Sequence, residues 1–258
     1  QSKNFYFILI YHNKMSTILL SLFILISCNN ILFIQSSSPY TKLKKCQDKD
    51  MSCYLQVAED PSRCEKEDFV MKNCLKSCQK CDGLIIPPEY DLKKVPPNLK
   101  RIAFLIGKWR SDFGGKADFP TIPRFTYGEE LDFKLANLNT THPSLNYTAF
   151  AWEQYEEIEL HSETGYLTMN SNGTRVALTT VMSNGFATVE EGKENGNSIE
   201  FRLKRIGRVN FSRDLPVRRM TRTWMLMNET FLESNLVMST ATHPMILHTS
   251  ITYEKIFP

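Results

Sequence analysis

Asn195-Gly-Asn-Ser-Ile-Glu-Phe-Arg-Leu-Lys204 reads as a turn followed by a strand. Ile199, Phe201 and Leu203 alternate with Glu200, Arg202 and Lys204. One face is apolar and the other charged, the period of two that a half-buried strand requires. The Asn-Gly step ahead of it is a type I′ hairpin signal. The same signal recurs at Asn172-Gly173, just before a strand from Val176 to Met182, and again at Asn184-Gly185. Thr221 to Leu226 and Phe231 to Thr240 read as further strands. Many antiparallel strands joined by sequence-adjacent hairpins predict a mainly β protein built as an up-and-down barrel. A barrel with enough strands holds one ligand in its lumen.

Upstream of the β region, Leu99, Ile102, Ala103 and Ile106 follow at i, i+3, i+4, i+7, with Pro97 before them and Gly107 after. This spacing predicts one short amphipathic helix, suited to closing an open barrel end. Residues 82–96 carry Pro87-Pro88 and Pro96 without a continuous apolar period, and read as a semi-rigid spacer. The barrel domain then runs from 97 to 258.

Six of the seven cysteines crowd into Cys46, Cys53, Cys64, Cys74, Cys78 and Cys81. So short a segment cannot build a sufficient core, and a disulfide scaffold at 46–81 is expected. Cys78-x-x-Cys81 also has zinc-ligand spacing, but the even count favours disulfides. Six cysteines allow fifteen pairings, and spacing does not choose among them. Met15 opens an apolar stretch that ends in Gln35-Ser36-Ser37-Ser38, the pattern of a secretory signal peptide over 1–37 with its true start at Met15. An uncleaved signal anchor is the competing reading; no stable membrane span is expected. Five N-x-S/T sequons follow, at Asn139, Asn146, Asn172, Asn210 and Asn228, and fit a secreted, extracellular glycoprotein. The formal net charge of +3 is too slight to argue for nucleic acid.

Two resemblances sharpen this reading. The block ending Cys74-Leu-Lys-Ser-Cys78-Gln-Lys-Cys81 resembles the ShK toxin-like (ShKT) module. That resemblance implies pairs Cys46–Cys81, Cys53–Cys74 and Cys64–Cys78, two short helices, and an unknown extracellular protein as partner. Where channel-blocking members carry a Lys-Tyr dyad this chain has Asp68-Phe69, and an acidic residue cannot plug a cation pore. The second covers about Pro97 to the end. Gly107-Lys-Trp109, Phe119-Pro120-Thr121-Ile122, Phe125-Thr-Tyr127-Gly-Glu-Glu130 and the closing Thr242-His-Pro-Met-Ile-Leu-His248 resemble the nitrobindin family, the C-terminal type of THAP-domain proteins. Ser111 and Phe113 replace two glycines of the family's opening, with Gly114-Gly115 nearby.

The nitrobindin resemblance implies a lipocalin-like barrel binding ferric haem b, with His248 as axial iron ligand and Thr121 touching the haem. It implies nitric oxide binding and isomerisation of peroxynitrite to nitrate. A neutral imidazole suits haem iron. On a regular strand His243 and His248, five residues apart, face opposite sides, so both cannot enter the lumen. Trp109 is expected as floor packing, and His161 as a hydrogen-bonding neighbour of Glu163. Glu156-Glu157 and Glu190-Glu191 read as solvated pairs, adjacent residues on strands pointing apart. No G-x-S-x-G, P-loop or H-E-x-x-H motif is present. The alternatives to a haem protein are an extracellular carrier of an apolar ligand and a non-enzymatic interaction protein.

Overall fold

The computed structural model describes residues 46–118, 123–137, 139–155, 158–212 and 214–258. Residues 1–37, expected as a signal peptide, Thr121 and Glu156-Glu157 lie outside them. Ten strands make the barrel: β1 Gly107–Ala117, β2 Phe125–Leu135, β3 Ser144–Glu153, β4 Glu159–Met169, β5 Val176–Met182, β6 Phe186–Glu194, β7 Ser198–Arg208, β8 Val217–Leu226, β9 Phe231–Thr240 and β10 Ile246–Phe257. Each pairs antiparallel with the next, and β10 returns to β1, so the sheet is closed and has no full-length free edge. The connections β1–β2, β3–β4, β5–β6, β7–β8 and β9–β10 gather at one end, the mouth. The opposite end is the floor.

The expected Asn-Gly turns join β4 to β5, β5 to β6 and β6 to β7, but they are not type I′. Gly173, Gly185 and Gly196 are left-handed, at φ 65°, 86° and 78°, whereas the asparagines before them keep negative φ. The N–H groups of Gly173 and Gly185 donate to the carbonyls of Asn170 and Met182, 2.9 and 3.0 Å away. Each turn therefore leaves its only left-handed residue at the exit, where glycine has no steric penalty.

The floor is closed by Pro97–Leu105, which is helical as expected but winds as a 3₁₀ helix. With three residues per turn, Leu99, Ile102 and Leu105 stack on one face, and all three are fully buried. Trp109 follows as floor packing, its indole N–H donating to the Leu105 carbonyl at 2.7 Å. Gly107 between them sits at φ +129°, and a Cβ there would strike the carbonyl oxygens of Phe257 and Pro258. At the other end of β1, two extra residues between Ser111 and Gly115 bulge outward relative to β2. Gly115 leaves the room that the Tyr127 ring fills, so the Gly114-Gly115 pair meets the local need for close approach.

The cysteine module holds α1 Cys53–Glu59, α2 Arg63–Lys66 and α3 Asp68–Asn73. Disulfides join Cys46 to Cys81, Cys53 to Cys74 and Cys64 to Cys78. Its own core is small, with Val57 and Val70 among the half-cystines, and α1 divides its contacts. Val57 turns into the module while its neighbour Ala58 joins the core of the barrel. Tyr54 meets Phe104 edge to face at 5.7 Å, and its hydroxyl donates to the Gly196 carbonyl at 3.1 Å. Residues 82–96, expected as a spacer, are instead packed between the two. Tyr90 is buried, donates to Asp132 at 2.9 Å and meets Phe257 edge to face at 5.0 Å. Lys93 Nζ donates back to the Cys78 carbonyl at 3.1 Å. Buried aromatic and apolar groups, Tyr90 and Val95, override the extended tendency of the prolines.

Candidate functional site

β10 carries His248 at the mouth in an irregular piece of strand. Against β9, Leu247 pairs with Val237 and Thr249 with the very next residue, Leu236, so His248 is one residue too many. Such a bulge re-aims a side chain and shifts the alternation of the residues after it. Below it Thr249, Ile251 and Tyr253 share the lumen-facing parity, and Ile251 and Tyr253 are buried. Above it Leu247 is exposed. His248 itself is half-buried, and burial pushes its pKa below the ordinary imidazole value, against the charge of Asp118. The ring is therefore neutral near pH 7, the form in which an imidazole can ligate a metal. The His248 carbonyl accepts from Asp118 N–H at 2.8 Å, fixing the start of the β1–β2 connection beside it.

His243 is not on the strand. It lies in the β9–β10 turn, its carbonyl accepting from Thr240 N–H at 3.2 Å and its Nδ1 paired with Thr242 Oγ1 at 2.8 Å. The alternation rule that set it opposite His248 therefore does not apply: a turn precedes β10 and a bulge interrupts it. His161 is half-buried on β4, two residues before Glu163. His142 sits in the β2–β3 connection at the floor end, hydrogen-bonded to Thr141 at 2.9 Å.

Beneath the mouth the lumen is crossed by a charged layer. Arg222 on β8 donates to Glu163 at 2.7 and 3.3 Å and to Glu190 at 3.2 and 3.3 Å. Tyr147 donates to Glu163 at 2.5 Å, and Thr188 links Glu190 at 3.1 Å to Thr180 at 2.8 Å. Tyr253 donates to a third carboxylate, Glu129, at 2.6 Å. An aromatic layer lies against this network: Tyr147 stacks on Phe133 at 5.1 Å, and Trp224 packs edge-on to Phe133 and Phe201. The pair Glu190-Glu191, expected to be solvated, is divided by the barrel wall. Glu191 faces out and pairs with Arg175 at 2.7 Å, while Glu190 is 0% exposed. Adjacent residues do point apart, but in a closed sheet one of the two directions is the core.

One guanidinium cannot neutralise the two buried carboxylates it bridges together with the half-buried Glu129. Burial alone would raise the Glu163 pKa, yet the closer contact with Arg222 outweighs it and holds Glu163 below its ordinary value. For Glu190, burial wins and the pKa rises. Glu129, whose hydrogen-bond partner among the described residues is Tyr253, is pushed by burial up to about 7. Because this lies above the ordinary value of 4.5, the native state keeps a proton that the unfolded chain has released. Stability therefore falls as pH rises from about 4.5 to 7. Glu129→Gln is expected to match the parent at pH 4 and to exceed it by about 2–3 kcal/mol at pH 8. Thermal unfolding at both pH values checks this, and a gain independent of pH would contradict it.

The network escaped the sequence reading although its signal was present. Arg222 shares the parity of Met220, Trp224 and Leu226, and Glu163 that of Leu167 and Met169, so both stand on apolar faces. Among the described residues no three His, Cys, Asp or Glu side chains group to hold a bare metal ion. A lone neutral imidazole fits haem, which brings its own four nitrogen donors and needs only an axial ligand.

The family model described as "THAP4-like, heme-binding beta-barrel domain" matches residues 98–255. The Caenorhabditis elegans protein C28H8.5 is 46% identical over 239 residues, covering 88% of this chain and 79% of its own length. Mouse "Peroxynitrite isomerase THAP4" is 29% identical over 174 residues, 67% of this chain, and the chain spans only 30% of that protein. The crystal structure of Rv2717c from Mycobacterium tuberculosis superposes with a TM-score of 0.54 at 27% identity, covering 62% of this chain and 98% of that one. The chain belongs to the THAP4-like haem-binding β-barrel family.

Proposed function

We propose that the protein is a secreted ferric haem b protein that isomerises peroxynitrite to nitrate and binds nitric oxide. The observation that carries this reading is the bulge that holds a neutral, half-buried His248 at the mouth. His248 would be the axial ligand, and the bond from Asp118 N–H to its carbonyl would steady the strand beside it. Thr121, in the connection that starts at Asp118, is the proposed second haem contact. Held by His248, ferric haem would supply iron chemistry toward a small oxidant or diatomic. The name of the mouse relative and of the wider family supports this chemistry. Isomerisation of peroxynitrite conserves every atom and needs no external electron.

The module at 46–81 is proposed as an ShKT-type interaction module for an extracellular protein. Three disulfides support an oxidising compartment. Sequons at Asn139, Asn172 and Asn210 are exposed, whereas Asn146 and Asn228 are half-buried. Asn228 Oδ1 already accepts from the N–H groups of Thr230 and Phe231.

The test is decay of peroxynitrite in the presence of the haem-loaded chain, with nitrate and nitrite both assayed. Decay is expected to accelerate in proportion to loaded protein, with the product shifted to nitrate. His243→Ala is expected to behave like the parent, since its ring is occupied within the turn. Decay at the buffer rate would defeat the isomerase reading, and a loss confined to His243→Ala would move the ligand to that residue.

A further inference from the structure

The wall of the barrel opens between β7 and β8. Their ladder stops at Arg202 and Thr221, beyond which Leu203–Arg208 pair only with β6 and Val217–Met220 only with β9. In a closed sheet every second residue should be buried, yet Lys204 to Arg208 are exposed without exception. The two strand ends and their connection thus stand out from the mouth as a splayed flap. It is unusually basic: Lys204, Arg205, Arg208, Arg218 and Arg219 face a single described acid, Asp214, in a chain whose net charge is only +3. Lys204, Arg205, Arg218 and Arg219 make no ion pair with any described acid.

Its tip is apolar. Phe211 is 82% exposed, and Val209 and Leu215 beside it are exposed as well. Exposed Met245 in the β9–β10 connection and exposed Leu247 at the start of β10 add to it at the mouth. Arg208 is turned inward to serve the flap, donating to the Asp214 carbonyl at 3.0 Å and lying over the Phe186 ring at 5.8 Å. The tip is therefore held in shape while its apolar side chains remain in water. Apolar tips spread over two connections of one barrel end do not form a groove. A surface that contacts them together is itself broad, and its charge must be negative to meet the unpaired cations.

We propose that this flap docks the barrel mouth on an anionic lipid surface, with Phe211 inserted among the acyl chains and the four unpaired cations on the headgroups. Apolar insertion flanked by basic residues is the arrangement by which peripheral proteins hold such membranes. Among the described residues no helix is long and apolar enough to cross a membrane, so the contact is peripheral. A soluble polyanion would use the cations but leave Phe211 in water, which is why a bilayer fits better. The sequon at Asn210 adjoins the tip, and a glycan there would exclude the bilayer. Of the five sequons, this is the one that must stay unoccupied.

The experiment uses the full chain with Phe211→Trp, read as the difference from the parent, whose Trp109, Trp152 and Trp224 are all buried. Vesicles of phosphatidylcholine with 30–40% (roughly) phosphatidylserine should blue-shift its emission and allow quenching by brominated acyl chains, whereas phosphatidylcholine vesicles should not. Adding Arg205→Gln, Arg218→Gln and Arg219→Gln, all exposed, should weaken that response about a hundred-fold, as should high salt. An equal response to neutral vesicles, a response to soluble heparin alone, or a glycan on Asn210 of the secreted protein would each overturn the proposal.

Discussion

Arg222→Met is expected to destabilise the barrel by about 3–5 kcal/mol, because it leaves Glu163 and Glu190 buried without their shared cation. In a domain of this size that corresponds to a fall in Tm of roughly 6–20 °C. The loss should come mainly from the stranded carboxylates and not from the missing guanidinium. The triple variant Arg222→Met, Glu163→Gln, Glu190→Gln should therefore recover most of it, since neutral amides can still bond Tyr147 and Thr188. Equilibrium unfolding of the two variants beside the parent measures both numbers. A single variant within about 1 kcal/mol of the parent would mean that water reaches the layer and screens it.

This layer also bears on how the lumen is divided. An apolar ligand filling the whole barrel would have to cross Arg222 and its carboxylates, at a large desolvation cost. A ligand held at His248, at the mouth end of β10, would not have to cross it.

The repeating parts of the fold were the legible ones. Alternation placed β5 and β9 at the residues where the structure has them, and glycine marked three hairpins, because both signals are local. The floor helix was visible from Leu99 to Ile106, although its tighter winding was not, since i, i+3 spacing serves both helix types. What failed depended on closure. Glu190 looks solvated until β6 is known to be part of a closed wall. Residues 82–96 look like a spacer until Tyr90 meets Phe257. The bulge at His248 is a register shift against β9, which the sequence of β10 alone does not carry. The family resemblance, not the residue pattern, singled out that histidine, and Thr121 lies outside the described residues.

His248→Ala is expected to have the largest functional effect. Removing the imidazole keeps the backbone bond from Asp118 N–H to the residue-248 carbonyl that holds the bulge. The variant should therefore fold like the parent while losing the only proposed protein ligand to iron. A cofactor held by one axial bond has little to replace that bond, and affinity should fall by at least about a hundred-fold.

The most direct measurement is a titration of the full chain with ferric haem, parent beside His248→Ala, followed by the Soret band, with far-UV circular dichroism confirming that both are folded. The account predicts a saturable shifted Soret band in the parent and its absence in the variant. An unchanged band in a folded His248→Ala would contradict His248 as the ligand. No band in the parent would remove haem altogether and leave a carrier or interaction barrel.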